Sequence, residues 1–310
     1  MSSRHDPARK SGGAGRWSVW PTAQAMPRTQ RAGRYLPQTV HHPARMLPAL
    51  AAHAIATYTR PGDLVLDPMC GAGTTLVEAV HQGRRAVGVD YEPRWVTLAT
   101  ANLEHARAHG ATGAAQVNGG DARLLDQLLP ADMHGRVRLV LTSPPYGPAV
   151  HGQVTPGKDG VRKEHDQYSP DRQPGDRGNL AHQTPDTMLQ SFAEILAAVR
   201  PFLAPDGHVV LTVRPWRQRG QLVDLPAQVL DAAHTAGLHC VERCVALLAG
   251  MRGDRLVARP SFFQLLSIRQ ARARGIPLHL IAHEDVLVLA ARPRSDGSAE
   301  PQRPRRGRAR

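Results

Sequence analysis

From about residue 43 onward, apolar positions in this chain switch between two periods. Short, nearly unbroken apolar runs predict strands at 63–67, 86–90, 115–117, 137–142, 208–213, 238–247 and 285–289, the third being the weakest. Between them, apolar residues recur at helical spacing over 43–58, 93–109, 186–200 and 225–236. Met46, Leu47, Leu50 and Ile55 share the core face of the first of these helices. A further helix follows the turn at Gly71–Gly73 and ends near Gly83. Unbroken apolar strands suit a sheet covered on both faces, and strands alternating with helices imply a mainly parallel sheet between two helical layers. The expected fold class is therefore α/β. The pattern fails over 147–185, which is rich in Gly, Pro, Asp and His. A stretch of that length inside a domain is either functional or disordered.

Charge divides the chain differently. The net charge is +13, but residues 1–35 contribute +6 and 292–310 contribute +5, leaving +2 for 36–291. Both ends are rich in Pro, Gly and Ser and lack apolar periodicity, which predicts a basic disordered tail at 1–35 and an Arg-rich disordered tail at 292–310. Basic arms of this kind bind polyanions by phosphate neutralisation, or they serve only solubility. Three cysteines (Cys70, Cys240 and Cys244) match neither a disulfide framework nor a zinc spacing. His151, His165 and His182 share the irregular stretch and read as solvated loop residues, so no metal is expected. No apolar run approaches the ~18–20 residues of a bilayer span, and none follows Met1 as a signal would require. A cytoplasmic protein without a membrane partner is expected.

Two segments carry candidate chemistry. The strand, Gly-rich turn and helix over 64–80 have nucleotide-binding geometry, because glycines admit a ligand to the backbone and a helix N-terminus offers free N–H groups. Leu76 stands where a dinucleotide fingerprint needs glycine, and no P-loop lysine is present. What remains is Asp67-Pro68-Met69-Cys70-Gly71-Ala72-Gly73-Thr74-Thr75. Asp90 ends the next strand, where a carboxylate can accept both ribose hydroxyls of an adenosine, and Asp121 follows the third, suitably placed for an adenine amino group. Each acid alone could be an ordinary turn residue.

The second segment is Thr142-Ser143-Pro144-Pro145-Tyr146 at the end of the fourth strand. An exocyclic base amine is a poor nucleophile because its lone pair delocalises into the ring. Two acceptors drawing on its N–H hydrogens, the Ser143 hydroxyl and the Pro144 carbonyl, would localise that lone pair. Pro144 and Pro145 stiffen the loop, and Tyr146 can stack on a base swung out of its helix. Taken alone, the stretch reads equally well as a proline-rich turn.

In this order the motifs resemble those of nucleic-acid amino-methyltransferases. His41-His42-Pro43-Ala44-Arg45-Met46 is similar to that family's cofactor-side motif, 67–75 to its Asp-Pro-x-x-Gly-x-Gly-Thr-Thr motif and Ser143–Tyr146 to its catalytic tetrapeptide. His283 to Leu289 looks like its last strand. The resemblance covers roughly 40–291. It implies a seven-stranded Rossmann-like sheet, mostly parallel with helices on both faces, and S-adenosyl-L-methionine as methyl donor. It further implies one catalytic domain at 36–291, with 147–185 as an inserted substrate loop. By carry-over, His42, Asp67, Pro68, Gly71, Gly73, Thr74, Asp90 and Asp121 bind the cofactor, with Asp67, Gly71 and Gly73 on its methionine side, Asp90 at the ribose and Asp121 at the adenine. Ser143, Pro144, Pro145 and Tyr146 are the implied catalytic residues. Cys70 sits inside the cofactor motif and is no candidate nucleophile for ring-carbon methylation.

Serine in the first loop position is typical of cytosine-N4 enzymes, whereas adenine-N6 and tRNA guanine-N2 enzymes usually show Asp or Asn there. The expected partner is nucleic acid, with DNA favoured over tRNA. A tRNA guanine-N2 enzyme, an adenine-N6 DNA enzyme and a non-catalytic nucleic-acid-binding protein on the same fold are the alternatives. About forty residues precede the first motif, too few for the RNA-binding domain common in the tRNA enzymes. Two spare segments could read the substrate: 147–185, whose removal over 152–182 should abolish methyl transfer while sparing cofactor binding, and 249–282, with Phe262, Phe263 and Arg269, Arg272, Arg274 on an amphipathic helix.

Overall fold

The computed structural model describes residues 17–144, 153–157, 160–164, 178–218, 221–259 and 262–291. Its strands are β1 (Val19–Trp20), β2 (Leu64–Asp67), β3 (Arg85–Asp90), β4 (Ala114–Gly119), β5 (Val137–Thr142), β6 (Gln153–Gly157), β7 (Gly160–Glu164), β8 (Leu203–Val213), β9 (Trp216–Gln218), β10 (Gln221–Val223), β11 (His239–Leu247), β12 (Ala249–Arg252), β13 (Arg255–Ala258) and β14 (His283–Ala290). Its helices are α1 (Pro27–Arg31), α2 (Pro48–Tyr58), α3 (Thr74–His81), α4 (Pro93–Ala108), α5 (Leu125–Leu128), α6 (Pro185–Val199), α7 (Leu225–Thr235) and α8 (Phe262–Ala273).

One eight-stranded sheet runs in the order β1-β11-β14-β8-β5-β2-β3-β4. All pairings are parallel except those of β14, which runs against both β11 and β8. The fold is thus a Rossmann-like, mostly parallel α/β sheet, with one strand more than the seven expected. Successive residues of the central strands feed opposite faces, as the two-residue period requires. Leu66, Val140, Val209, Leu211 and Leu287 join α6 and α7 in one cluster around Phe192 and Ile195. Val65, Leu139, Leu141, Val210 and Val286 join α2 and α3 in the other, around Leu50, Ile55 and Leu76. Each fully buried side chain of this size contributes roughly 1.5–3 kcal/mol, so the two cores hold the central strands rigidly beneath whatever lies at their ends.

Prolines and caps set the helix boundaries. The expected helix over 43–58 begins only at Pro48, because Leu47 is extended (φ −66°, ψ 133°) as a residue before proline tends to be. That frees 43–47 to run along the cleft described below. The side chain of Asp224 caps α7 through the N–H of Ala227 at 3.2 Å.

The sharpest departure from expectation is at the N-terminal end, where a disordered tail was predicted over 1–35. Residues 17–35 are folded: β1 adds to the sheet edge, pairing Val19 with Val245 and Trp20 with Ala246. Trp20 and Tyr35 are buried. Arg34 makes a two-pronged ion pair to the buried Glu78 (2.8 and 2.7 Å), and the Tyr35 hydroxyl donates to the same carboxylate at 2.7 Å. Apolar aromatics and a waiting carboxylate outweigh the polar composition that suggested disorder. Residues 1–16 and 292–310 lie outside the described residues. Nor is all of 147–185 irregular, since β6 and β7 pair as an antiparallel hairpin (Gln153 opposite Glu164) and α6 starts at Pro185.

Candidate active site

Strand order reverses between β2 and β5: β3 and β4 lie to one side of β2, and β5 opens the other. At such a switch point the connections leave in opposite directions and a crevice opens at the carboxyl ends of the strands. The chain places a cleft there. Asp67 enters it from the end of β2, Asp90 from β3, Gly120 and Asp121 from beyond β4, and Ser143 and Pro144 from beyond β5. His42, Ala44, Arg45 and Met46 form one further wall, and Gly178 to Ala181 another.

The glycine turn is shaped for close approach. Gly71 has φ +51°, and a Cβ there would lie 2.5 Å from Nε2 of His42, so only glycine fits. His42 is itself fixed, with Nδ1 accepting from the N–H of Ala44 (3.3 Å) and its ring edge-on to Trp95 at 4.5 Å. Arg45 gathers the carbonyls of Thr39, Val40 and His42, which holds the 39–45 stretch in its bend. From the far side, Asn102 donates to the Ala72 carbonyl at 2.9 Å and to the Thr39 hydroxyl, and accepts from the Leu36 N–H at 2.9 Å. Gly73 does not line the cleft as expected. It takes φ +83° at the start of α3, and a Cβ would come 3.1 Å from that of Ala99, so its part is to let α4 pack against the turn.

The acids differ in how they are held. Asp67 is buried, and loss of water pushes its carboxyl up to about 6 against the pull of Thr75 and the Met69 N–H, which donates at 3.1 Å. Asp90 is also desolvated and pushed up to about 7, although its two oxygens accept from the N–H groups of Glu92 (2.9 Å) and Gly71 (2.8 Å). At Asp121 burial raises the carboxyl, but Arg123 outweighs it with a side-chain grip at 2.5–3.1 Å and holds it below its ordinary value. Cys70 is buried, and desolvation keeps its thiol well above the usual range, consistent with a packing role.

Of the twelve residues predicted from sequence, His42, Asp67, Pro68, Gly71, Thr74, Asp90, Asp121, Ser143 and Pro144 meet in this one cleft. Pro145 and Tyr146 lie outside the described residues. Sequence reasoning missed Glu92, Trp95 and Asn179, which also line it. Glu92 is buried, bonded by Arg94 (2.8 Å) and by the amide of Asn179 (2.8 Å). The signal for it was a second acid two places after Asp90. The Trp95 indole N–H is buried without an acceptor among the described residues. Because Gly178 to Ala181 are cleft wall, a deletion running to residue 182 would damage this site, contrary to the expectation that removing 152–182 spares the cofactor. The donor set fits a nucleoside: carboxylates with spare lone pairs for hydroxyl and amino donors, a glycine cradle, and an indole donor awaiting an acceptor.

Comparison with known proteins agrees with the resemblance read from the motifs. A family model described as DNA methylase matches residues 3–101. The tRNA (guanine(10)-N2)-dimethyltransferase of Methanocaldococcus jannaschii is 34% identical over 107 residues, 34% of this chain and 30% of that protein. Its counterpart from Methanothermobacter thermautotrophicus is 36% identical over 107 residues, 34% and 29% of the two chains. The type II methyltransferase M2.DpnII of Streptococcus pneumoniae is 40% identical over 63 residues, 20% of this chain and 24% of that one. The chain thus matches under a third of the length of these curated relatives. Among solved structures, TrmN from Thermus thermophilus superposes with a TM-score of 0.48 at 18% identity, covering 84% of this chain and 52% of that one.

Proposed function

We propose that the chain is an S-adenosylmethionine-dependent methyltransferase acting on an exocyclic amino group of a nucleobase, with N4 of cytosine in DNA as its substrate. The observation that carries this reading is the meeting of two half-sites in one cleft: the acids and glycine turn at the ends of β2 to β4, and Ser143-Pro144 at the end of β5. Asp90 and Asp121 would hold the ribose and adenine of the cofactor, while Asp67, Gly71 and His42 would face its methionine end. Bound there, the cofactor supplies a methyl group on a sulfonium, an electrophile that needs no metal.

The chain's own work is then on the amine. The Ser143 hydroxyl and the Pro144 carbonyl accept its two N–H hydrogens, turn the nitrogen lone pair out of conjugation and aim it into the cleft. Pro144 is buried and sits at the end of a strand packed on both faces, so its carbonyl is held without reorganisation. Ser143 favours cytosine by the pattern read from the sequence. A guanine N2 in tRNA is the second reading, favoured by the identity to the two archaeal tRNA enzymes.

Incubation of the protein with methyl-labelled adenosylmethionine and, separately, duplex DNA, tRNA and rRNA tests the proposal. Label in DNA recovered as N4-methylcytosine is the expected result. Label recovered as N2-methylguanine in tRNA selects the second reading. Cofactor binding with no label in any nucleic acid overturns both.

A further inference from the structure

Arginines in this molecule fall into two populations. Several on the body of the sheet are neutralised, Arg34 by Glu78, Arg94 by Glu92, Arg123 by Asp121, Arg138 by Asp206 and Arg243 by Asp285, while others such as Arg85 and Arg107 stand singly on the surface. Arg252 and Arg255 on the β12–β13 hairpin, and Arg269, Arg272 and Arg274 on or just after α8, are exposed, and none forms an ion pair among the described residues. Six arginines and a single acid, Asp254, fall within 249–282, whereas 36–291 as a whole balances at +2. Within 36–291 the positive surplus therefore sits in this one module.

Topology sets the module on the reactive edge of the sheet. β14 is antiparallel to both β8 and β11, so β11 runs the same way as β8 and β5. The ends of β11 at Leu247, of β8 at Val213 and of β5 at Thr142 therefore share one edge, the edge from which Ser143 enters the cleft. The module leaves from Leu247 and returns into His283 at that same edge. It is fastened there: the Leu248 N–H donates to the Ala282 carbonyl at 2.8 Å, and Arg259 donates to the carbonyls of Ala23 (2.9 Å) and Gln24 (2.8 Å). Met251, Leu256, Leu265 and Leu266 are exposed on the same module.

We propose that β12, β13 and α8 form the docking surface for the phosphate backbone of the DNA whose base enters the cleft, an inference that rests on the nucleic-acid reading above. Unpaired guanidinium groups match phosphate oxygens in a planar, two-pronged way and keep less water than an ammonium. Each phosphate they neutralise releases counterions, which gives binding strength without sequence preference and leaves base choice to the cleft. The module stands on the same sheet edge as Ser143, with β14 and β8 between, so holding the backbone there also sets the path of the strand toward the site.

The test uses the full chain in two variants, Arg269→Glu/Arg272→Glu/Arg274→Glu and the milder Arg252→Gln/Arg255→Gln. Affinity for labelled duplex DNA and for tRNA is followed by fluorescence anisotropy across a salt series, with adenosylmethionine affinity measured by calorimetry on the same samples. The triple variant should bind DNA at least ~10-fold more weakly and lose roughly 0.9 from the salt slope for each phosphate contact removed. The double variant should move the same way by less, and cofactor affinity should stay at the wild-type value in both. Unchanged DNA affinity and salt slope in variants that still bind adenosylmethionine would overturn the docking surface. Wild-type binding of tRNA in preference to DNA would overturn DNA as its occupant. A wild type that binds DNA through these arginines yet transfers no methyl group would refute the proposed reaction and leave the surface standing.

Discussion

Between β2 and β4, every acid that faces the cleft is engaged by donors of the chain itself: Asp67 by Met69, Asp90 by Gly71 and Glu92, Asp121 by Arg123, and Glu92 by Arg94 and Asn179. Beyond β5 the balance reverses, and the exposed arginines on β12, β13 and α8 form no ion pair among the described residues. The first region is closed around its charges and the second is left open. A ligand that never varies can be met by groups locked in place beforehand, because preorganised dipoles need no rearrangement when it arrives. A polymer brings its own regular array of charge, so its counterpart gains by staying unpaired until contact.

The closed side should break most sharply at Gly71. Gly71→Ala puts a Cβ on the His42 ring and forces a left-handed backbone, which should weaken adenosylmethionine binding by about 3 kcal/mol, roughly 200-fold, with nucleic-acid affinity intact. Calorimetry with the cofactor and anisotropy with DNA read the two separately; equal losses in both would mean the turn serves the whole edge. Ser143→Ala should do the converse, lowering turnover about 100-fold as loss of one positioned acceptor does elsewhere, while cofactor affinity holds. Turnover within twofold of wild type would remove Ser143 from the reaction.

The raised carboxyls on the closed side make it sensitive to pH. A carboxyl pushed up on folding favours the folded protein in acid; that contribution fades from the ordinary carboxyl value of about 4 upward and is gone once pH passes about 6 for Asp67 and about 7 for Asp90. The empty protein should therefore lose thermal stability between about pH 4 and pH 7 by more than Asp90→Asn does. On the proposed role of Asp90 at the ribose, cofactor affinity should run the other way, rising through about pH 7, because the ionised carboxylate accepts from both hydroxyls. Asp90→Asn should cost about tenfold in affinity at pH 8 and flatten the profile; a profile unchanged by the substitution would point to another group. The smallest effect belongs to the edge. Tyr35→Phe removes the hydroxyl donated to Glu78 and should cost about 1 kcal/mol in urea unfolding without altering methyl transfer.

Much of the closed side was legible because its signals are local. Asp67, Gly71 and Asp90 stand at or just after strands announced by unbroken apolar runs, Asp121 follows the weaker β4, and strand ends in a parallel sheet share one edge. Ser143 became legible the same way, through Val137 to Thr142. What escaped depends on contacts distant in sequence. Trp20 and Tyr35 are isolated aromatics in polar surroundings, and their partners Ala246 and Glu78 lie far along the chain, so composition pointed to disorder where the fold supplies a strand and an ion pair. Asn179 ends a stretch with no periodicity at all, and its bond to Glu92 leaves no trace in either segment. The arginines proposed to dock DNA were visible as charge, but only the direction of β11 puts them on the sheet edge that carries Ser143.

Asn102 carries one further consequence. Its single amide joins the N–H of Leu36, the hydroxyl of Thr39 and the carbonyl of Ala72, so the entry segment and the glycine turn cannot open independently. They form one unit of local unfolding. Hydrogen exchange at Leu36 should then slow when adenosylmethionine is added, although that amide lies outside the cleft, because a ligand that holds the turn shut withholds the same opening from the segment behind it.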